Sequence, residues 1–243
     1  MQPTLSSPAV PSAPSAPSLV EQAFLRLRRD VLTGAHAPGA KLKVEELQAS
    51  YGVSSSPLRE ALNRLSQEGL VRADDRRGFR VAAISRADLA DVTHMRLLVE
   101  VQALQAAIAQ GDDAWEAAVV AAAHRLERAE ANLGEGPLVL DDTWSQLHRD
   151  FHLSLYAACP SERQRALCAS LFDQAERYRR FSARHRTTLR SKLREHRRLL
   201  DAVLRRDAET ACALLAEHVR GTQRNVEAAL TRMEAAAEAG RPS

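Results

Sequence analysis

The stretch "GVSSSPLREALNRLSQEGLV" (residues 52–71) decides how the first third of the chain is read. Leu58, Ala61, Leu62 and Leu65 recur at the spacing of one helical face. Pro57 suits the first helical position, where its missing N–H costs nothing, with Ser55 or Ser56 as N-cap, and Gly69 ends the helix. Capping accounts for one serine. It leaves unexplained why Ser54, Ser55, Ser56, Arg59 and Asn63 all crowd the front of one amphipathic helix. Short polar groups and an arginine at a helix N-terminus are what a helix entering the DNA major groove presents to phosphates and base edges.

The flanking sequence supports that reading. Upstream, Ser18 caps a helix reaching Thr33, with Val20, Ala23, Phe24, Leu27 and Val31 on one face and Gly34 closing it. "HAPGAKL" (36–42) reads as a turn, and "KVEELQASYG" (43–52) as a short second helix. Downstream, "LVRADDRRGFRVAAIS" (70–85) places two β-like runs, Leu70–Ala73 and Phe79–Ala83, around a charged turn ending in Gly78. Three helices followed by a hairpin predict a winged helix-turn-helix over residues 18–85. Arg76, Arg77 and Arg80 would then furnish the wing, with Gly78 permitting a tight tip.

From Arg86 onward the pattern is helical throughout. Segments fall near 86–110, 112–133, 140–158, 161–182, 188–206 and 207–237, with breaks at Gly111, "GEGP" (134–137), Cys159-Pro160 and "SARHRTT" (182–188). The expected fold is therefore mainly α: the winged module, then an all-α six-helix antiparallel bundle over residues 86–237. The Pro/Ser/Ala-rich opening, residues 1–17, reads as a disordered tail and 238–243 as a second tail. The opening lacks the charged and apolar regions of a secretory signal, and no apolar run is long enough to span a membrane. A cytoplasmic protein is the expectation. Cys159, Cys168 and Cys212, without CxxC spacing, read as reduced thiols. The net charge of +3 is carried entirely before Arg86, as a small basic module joined to a neutral body would have it.

The segment from Val20 to Ser85 resembles the N-terminal domain of GntR-family bacterial transcription regulators. It shares the landmarks "PG.KL", "L...YGVS..P.REAL..L..EGLV" and "RGF.V". The resemblance implies double-stranded operator DNA as partner, contacted by Ser54, Ser56, Arg59 and the wing tip at Gly78. Many members have Arg after the "GVS" serine, where this chain has Ser55, which implies an operator that departs from the common half-site. "HMRLLVEVQALQAAIAQGDD", "LHRDFHLSLYAAC" and "EHRRLLDAVLRRDAETACALLAEHV" are similar to the FCD ligand-binding domain of the FadR subfamily.

His148 and His152, four apart, share one helix face, while His196 and His218 lie on the last two bundle helices. Spacing alone leaves solvated or packed histidines open. The FCD resemblance implies a metal, with His152, His196 and His218 at the family's three His positions and His148 replacing its Asp. Four neutral ligands favour a divalent transition metal, zinc or nickel. The same resemblance makes Arg96 a cavity residue, and Arg177, Tyr178 and Arg180 are further ligand-binding candidates or, alternatively, solvated helix charges. The stretches "LKVEEL", "SSSPLREAL", "RGFRVA" and "LFDQAERYRRFS" resemble regulators of glutarate and 2-hydroxyglutarate catabolism, which implies a small carboxylate effector, a homodimer and repression. Two other readings are a metal-dependent enzyme fused to a DNA module and a non-specific architectural DNA binder. The first is disfavoured because no general-base carboxylate is spaced beside the histidines, and the second by the polar front of the third helix.

Overall fold

The structure, a computed structural model, describes residues 17–74, 78–131, 142–184 and 193–239. Its opening module contains α1 (Leu19–Thr33), β1 (Lys41–Leu42), α2 (Val44–Tyr51), α3 (Ser55–Gln67), β2 (Val71–Asp74) and β3 (Gly78–Val81). The expected tail over 1–17 lies, save Pro17, outside the described residues, as do wing residues Arg76 and Arg77. Ser18 caps α1 as its sequence requires, its hydroxyl accepting from the Glu21 amide at 3.2 Å. Gly34 closes α1 in the left-handed region, φ 73°, where a side chain would be strained and would also collide with Arg184 of the bundle. Ala23, Phe24 and Leu27 of α1 pack on Leu58, Leu62 and Leu65 of α3 and on Val71 and Phe79 of the hairpin.

Two local expectations are corrected. First, α3 starts at Ser55 with Ser54 as its cap residue, so Pro57 is the third helical residue, and no serine side chain caps the helix. Proline is tolerated there because the whole first turn lacks intrahelical acceptors for its N–H groups. Second, part of the "HAPGAKL" turn is a strand. β1 pairs antiparallel with β3, Lys41 opposite Arg80, giving a three-stranded sheet of order β1-β3-β2. Two residues are too short to carry a period-2 pattern, so pairing with β3 alone creates this strand.

The remaining helices are α4 (Arg86–Gln110), α5 (Asp113–Ala131), α6 (Asp142–Leu155), α7 (Glu162–Arg184), α8 (Leu193–Leu204) and α9 (Ala208–Ala239). This is the six-helix bundle expected from the sequence. α4 packs on α7 and α9, and α5 on α6 and α8. One core runs through Leu104, Trp115, Leu126, Phe151, Tyr156, Leu199 and Leu215, and α9 continues to Ala239. A smaller cluster of Leu89, Tyr178, Val226 and Leu230 joins the start of α4 to α7 and α9. Cys159, Cys168 and Cys212 are free thiols; burial pushes the Cys168 thiol up to about 12, which keeps it unreactive. No described helix is long and apolar enough to cross a membrane.

Candidate DNA-reading face and metal centre

The third helix divides cleanly. Leu58, Ala61, Leu62 and Leu65 are fully buried, while Ser54, Ser56, Arg59 and Asn63 are exposed and Ser55 is half-buried. Ser56, Arg59 and Asn63 stand three and four residues apart, so they line one outward stripe. Because no serine hydroxyl is spent on a cap, the helix front keeps its donors and acceptors for another molecule. Beside it, the sheet sets Lys41, Arg80 and Arg72 in cross-strand register, all exposed. Like charges directly opposite one another weaken a sheet, and Asp88 lies 3.8 Å from the Arg72 guanidinium. Arg80 donates to the Gly39 carbonyl at 3.3 Å, which steadies it within the row. Gly78 has φ 85°, a left-handed conformation that a side chain would strain. Lys41 escaped the sequence reading because β1, the strand that aligns it with Arg80, is invisible there; Arg72 lies on the expected hairpin but was not singled out.

In the bundle, His148 and His152 descend from α6, His196 from α8 and His218 from α9, all buried. One nitrogen from each lies within 4.8 Å of all the others. Ring centroids are 4.5 Å apart for His148–His152, 5.1 Å for His196–His218 and at most 6.1 Å, for His148–His218. With metal–nitrogen bonds of about 2.0–2.1 Å, four donors at this separation close on one ion with small side-chain shifts. Burial, then the charge of Arg179 and the other histidines, holds the His148 imidazole well below its usual value, so it stays neutral as a ligand must be.

Two carboxylates missed in the sequence reading complete the arrangement. Glu130 lies 3.2 Å from His196 Nδ1, and Glu195 lies 3.2 Å from His218 Nδ1. The Glu195 contact is a hydrogen bond, and a carboxylate accepting from Nδ1 in this way fixes the tautomer and turns Nε2 toward the centre, whereas Glu130 is only close to His196 Nδ1 and makes no hydrogen bond with it. Neither ring nitrogen of His196 has a hydrogen-bond partner among the described residues, and a metal is one group that satisfies a buried orphan of this kind. The donor set therefore fits a divalent ion of borderline softness. Trp144 stacks on His148 at 4.7 Å, and Phe172 packs against both His148 and His152.

The arginine candidates separate. Arg96 is buried 5.5 Å from the Phe172 ring, beside the centre, but its guanidinium is engaged twice by Glu100, at 2.6 and 3.0 Å. Burial pulls the Arg96 guanidinium down, but the charge of Glu100 and its hydrogen bond together leave it above its ordinary value. Arg177 instead donates to the Ala82 carbonyl at 2.7 Å, and Tyr178 donates to Asp88. Both therefore hold the connection between the winged module and α4, and the structure does not bring them to the histidines. Arg180 bonds Glu176 and Asp142, at 2.9 and 3.0 Å. The guanidinium that does reach the centre is Arg179, unremarked in the sequence. It contacts His148 and Glu176 and lies 4.6 Å from Phe172. Phe172, Glu176 and Arg179 fall at i, i+4 and i+7 on α7, a spacing that could have flagged Arg179 once Phe172 was placed. Burial lowers the Arg179 guanidinium below its ordinary value, and Glu176 does not restore it.

Comparison with known proteins agrees with both halves. Residues 19–81 match the bacterial regulatory proteins of the gntR family, and residues 91–221 match the FCD domain. The HTH-type transcriptional regulator BphR of Paraburkholderia xenovorans is 38% identical over 205 residues, covering 84% of each chain. The HTH-type transcriptional repressor GlaR of Escherichia coli is 36% identical over 198 residues, covering 79% of this chain and 89% of that one. Among solved structures, Escherichia coli McbR/YncC superposes with a TM-score of 0.71 at 22% identity, over 90% of this chain and all of that one, a likeness of fold.

Proposed function

The chain belongs to the GntR family of bacterial regulatory proteins, with an FCD domain behind its reading head, and from that premise we propose that it is a repressor released from its operator by a small carboxylate bound at a histidine-held metal. It is a DNA-binding transcriptional regulator; the family and the relatives are regulators, not enzymes. Repression follows the Escherichia coli relative, which is named a repressor. The working form is a cytoplasmic homodimer with its reading head over 18–85 and effector body over 86–237. Its two-fold symmetry calls for an operator of two half-sites.

On the DNA side, Ser54, Ser55, Ser56, Arg59 and Asn63 enter the major groove, with Arg59 reading a base edge and Arg76, Arg77 and Gly78 forming the wing. Lys41, Arg72 and Arg80 take phosphates. On the sensing side, His148, His152, His196 and His218 hold zinc or nickel, and a divalent ion there supplies a Lewis-acid centre for a carboxylate. Arg179 receives the same anion. It shares Glu176 with Arg180 and is buried, so it lacks a full counter-charge. Of the remaining ligand candidates, Arg96 stands beside the pocket through Phe172, whereas Arg177, Tyr178 and Arg180 act at a distance through their partners. Glutarate or 2-hydroxyglutarate is the proposed effector.

The observation that carries this reading is the convergence of four buried imidazoles beside a buried, under-compensated arginine. The test starts from an operator duplex selected by the protein from a random pool. Zinc-loaded protein is then titrated onto it with and without each acid. A loss of operator affinity of about fivefold or more is expected. Unchanged affinity with both acids, zinc being bound, removes them as effectors.

A further inference from the structure

The reading head meets the bundle where α1 packs on α7 and reaches the start of α6, and that seam is built from charge. Arg29 of α1 donates to Asp142 at the start of α6 at 2.7 Å. Asp142 also accepts from Arg180 of α7 at 3.0 Å, Arg180 donates to Glu176 at 2.9 Å, and Glu176 accepts from Arg179 as well. Arg179 ends on the ring of His148, 3.3 Å from Nε2 and closer to Nδ1. An unbroken series of polar contacts therefore runs from one candidate metal ligand to the first helix of the DNA-binding module. It holds three cations and two anions. It borders a cavity of about 650 Å³ between α1, α6 and α7, whose wall includes Phe172 and Glu176.

We infer that occupation of the histidine centre is communicated to α1 along Arg179, Glu176, Arg180, Asp142 and Arg29, with Glu176 as the residue that must divide itself. This rests on the metal-centre reading above. The Arg179 guanidinium uses the imidazole of His148 as an acceptor. A neutral imidazole has a single lone pair in its plane, so once a divalent cation takes it at either nitrogen the other carries the proton, and Arg179 loses the acceptor and is repelled by the new charge. Glu176 then cannot keep both Arg179 and Arg180 at hydrogen-bond distance if Arg179 moves away. Whichever it follows, the hold of Arg180 on Asp142, and so of Asp142 on Arg29, changes. A second tether lies outside this series: Arg28 of α1 pairs with Asp173 of α7, which Arg149 of α6 also engages at 2.8 and 3.1 Å. With that tether kept, the change is a re-aiming of α1 about Arg28 rather than detachment of the module.

Coupling of this kind is reciprocal, so it can be measured with zinc alone as the probe. Zinc affinity is determined by calorimetry for the full chain, free and saturated with the selected operator duplex. In the wild type the two affinities should differ by about fivefold or more. In Asp142→Asn, and independently in Arg29→Gln, zinc should bind the free protein within about twofold of wild type while the operator-dependent difference collapses toward one. The double variant should lose nothing further, because both changes cut one series. Asp142 and Arg29 are 40% and 72% exposed, so neither change opens the core. A variant that keeps the wild-type difference overturns the inference. So does a wild type whose zinc affinity ignores the operator, although the metal centre then stands. Failure of the wild type to bind zinc removes the metal centre and the inference together.

Discussion

Replacing Glu100 by Gln tests the energetics of the bundle beside the sensing centre. Glu100 is fully buried and compensates Arg96, itself 5% exposed, through contacts of 2.6 and 3.0 Å; it also accepts from the Tyr156 hydroxyl at 2.8 Å. Glutamine keeps the shape but removes the charge and turns an amide donor toward a guanidinium that has only donors. Stranding one partner of a buried ion pair costs about 3–5 kcal/mol. Both tryptophans, Trp115 and Trp144, lie in the bundle, so their fluorescence follows its unfolding without interference from the winged module. With a urea dependence of about 2 kcal/mol per molar, the midpoint should fall by about 1.5–2.5 M. The double change Arg96→Met with Glu100→Gln should recover most of that loss, because it leaves no buried charge without its counter-ion while glutamine can still accept from Tyr156. A single-variant shift below about 0.5 M, or a double variant no more stable than the single one, would refute the argument that Arg96 depends on Glu100.

Arg59→Ala should weaken operator binding by about 1–3 kcal/mol and relax selectivity at one position of each half-site, as read by fluorescence anisotropy across single-base operator variants. Lys41→Gln should weaken all sequences alike and reduce the slope of log affinity against log salt by about one. Zinc at a hundred times its dissociation constant should stabilise the wild-type bundle by about 2.7 kcal/mol, and His152→Ala should abolish that gain in the same urea titration. The metal-free protein should lose stability in acid. His148 is held neutral in the fold by burial and Arg179, whereas the unfolded chain takes up its proton near the ordinary value of about 6.5. The unfolded state thus binds more protons below that pH, so stability is complete above it and declines as the solution is acidified. His148→Gln should flatten the decline.

How much of this was legible depended on the range over which each signal acts. The apolar spacing of Leu58, Ala61, Leu62 and Leu65, the Ser18 cap and the Gly34 stop are set by neighbours within one or two helical turns. The sequence alone therefore determined the helices, the hairpin and the order that makes a winged module before a bundle. Four histidines could be named in the same way, since His148 and His152 share a helix face and the others fall on later helices.

Tertiary structure decided the rest. The two-residue β1 exists only because β3 pairs with it, and it adds Lys41 to the Arg80–Arg72 pair of the hairpin. Glu130 and Glu195 stand behind histidines far away in the chain, and neither has a local pattern that marks it. Among Arg177, Tyr178, Arg179 and Arg180, consecutive residues on α7, only packing chose which faces the centre. Successive helical residues point about 100° apart, so one polar run serves the linker, the histidines and the seam with α1 at once. Local sequence fixes such a run as a helix, and the helices packed around it assign each charge its partner.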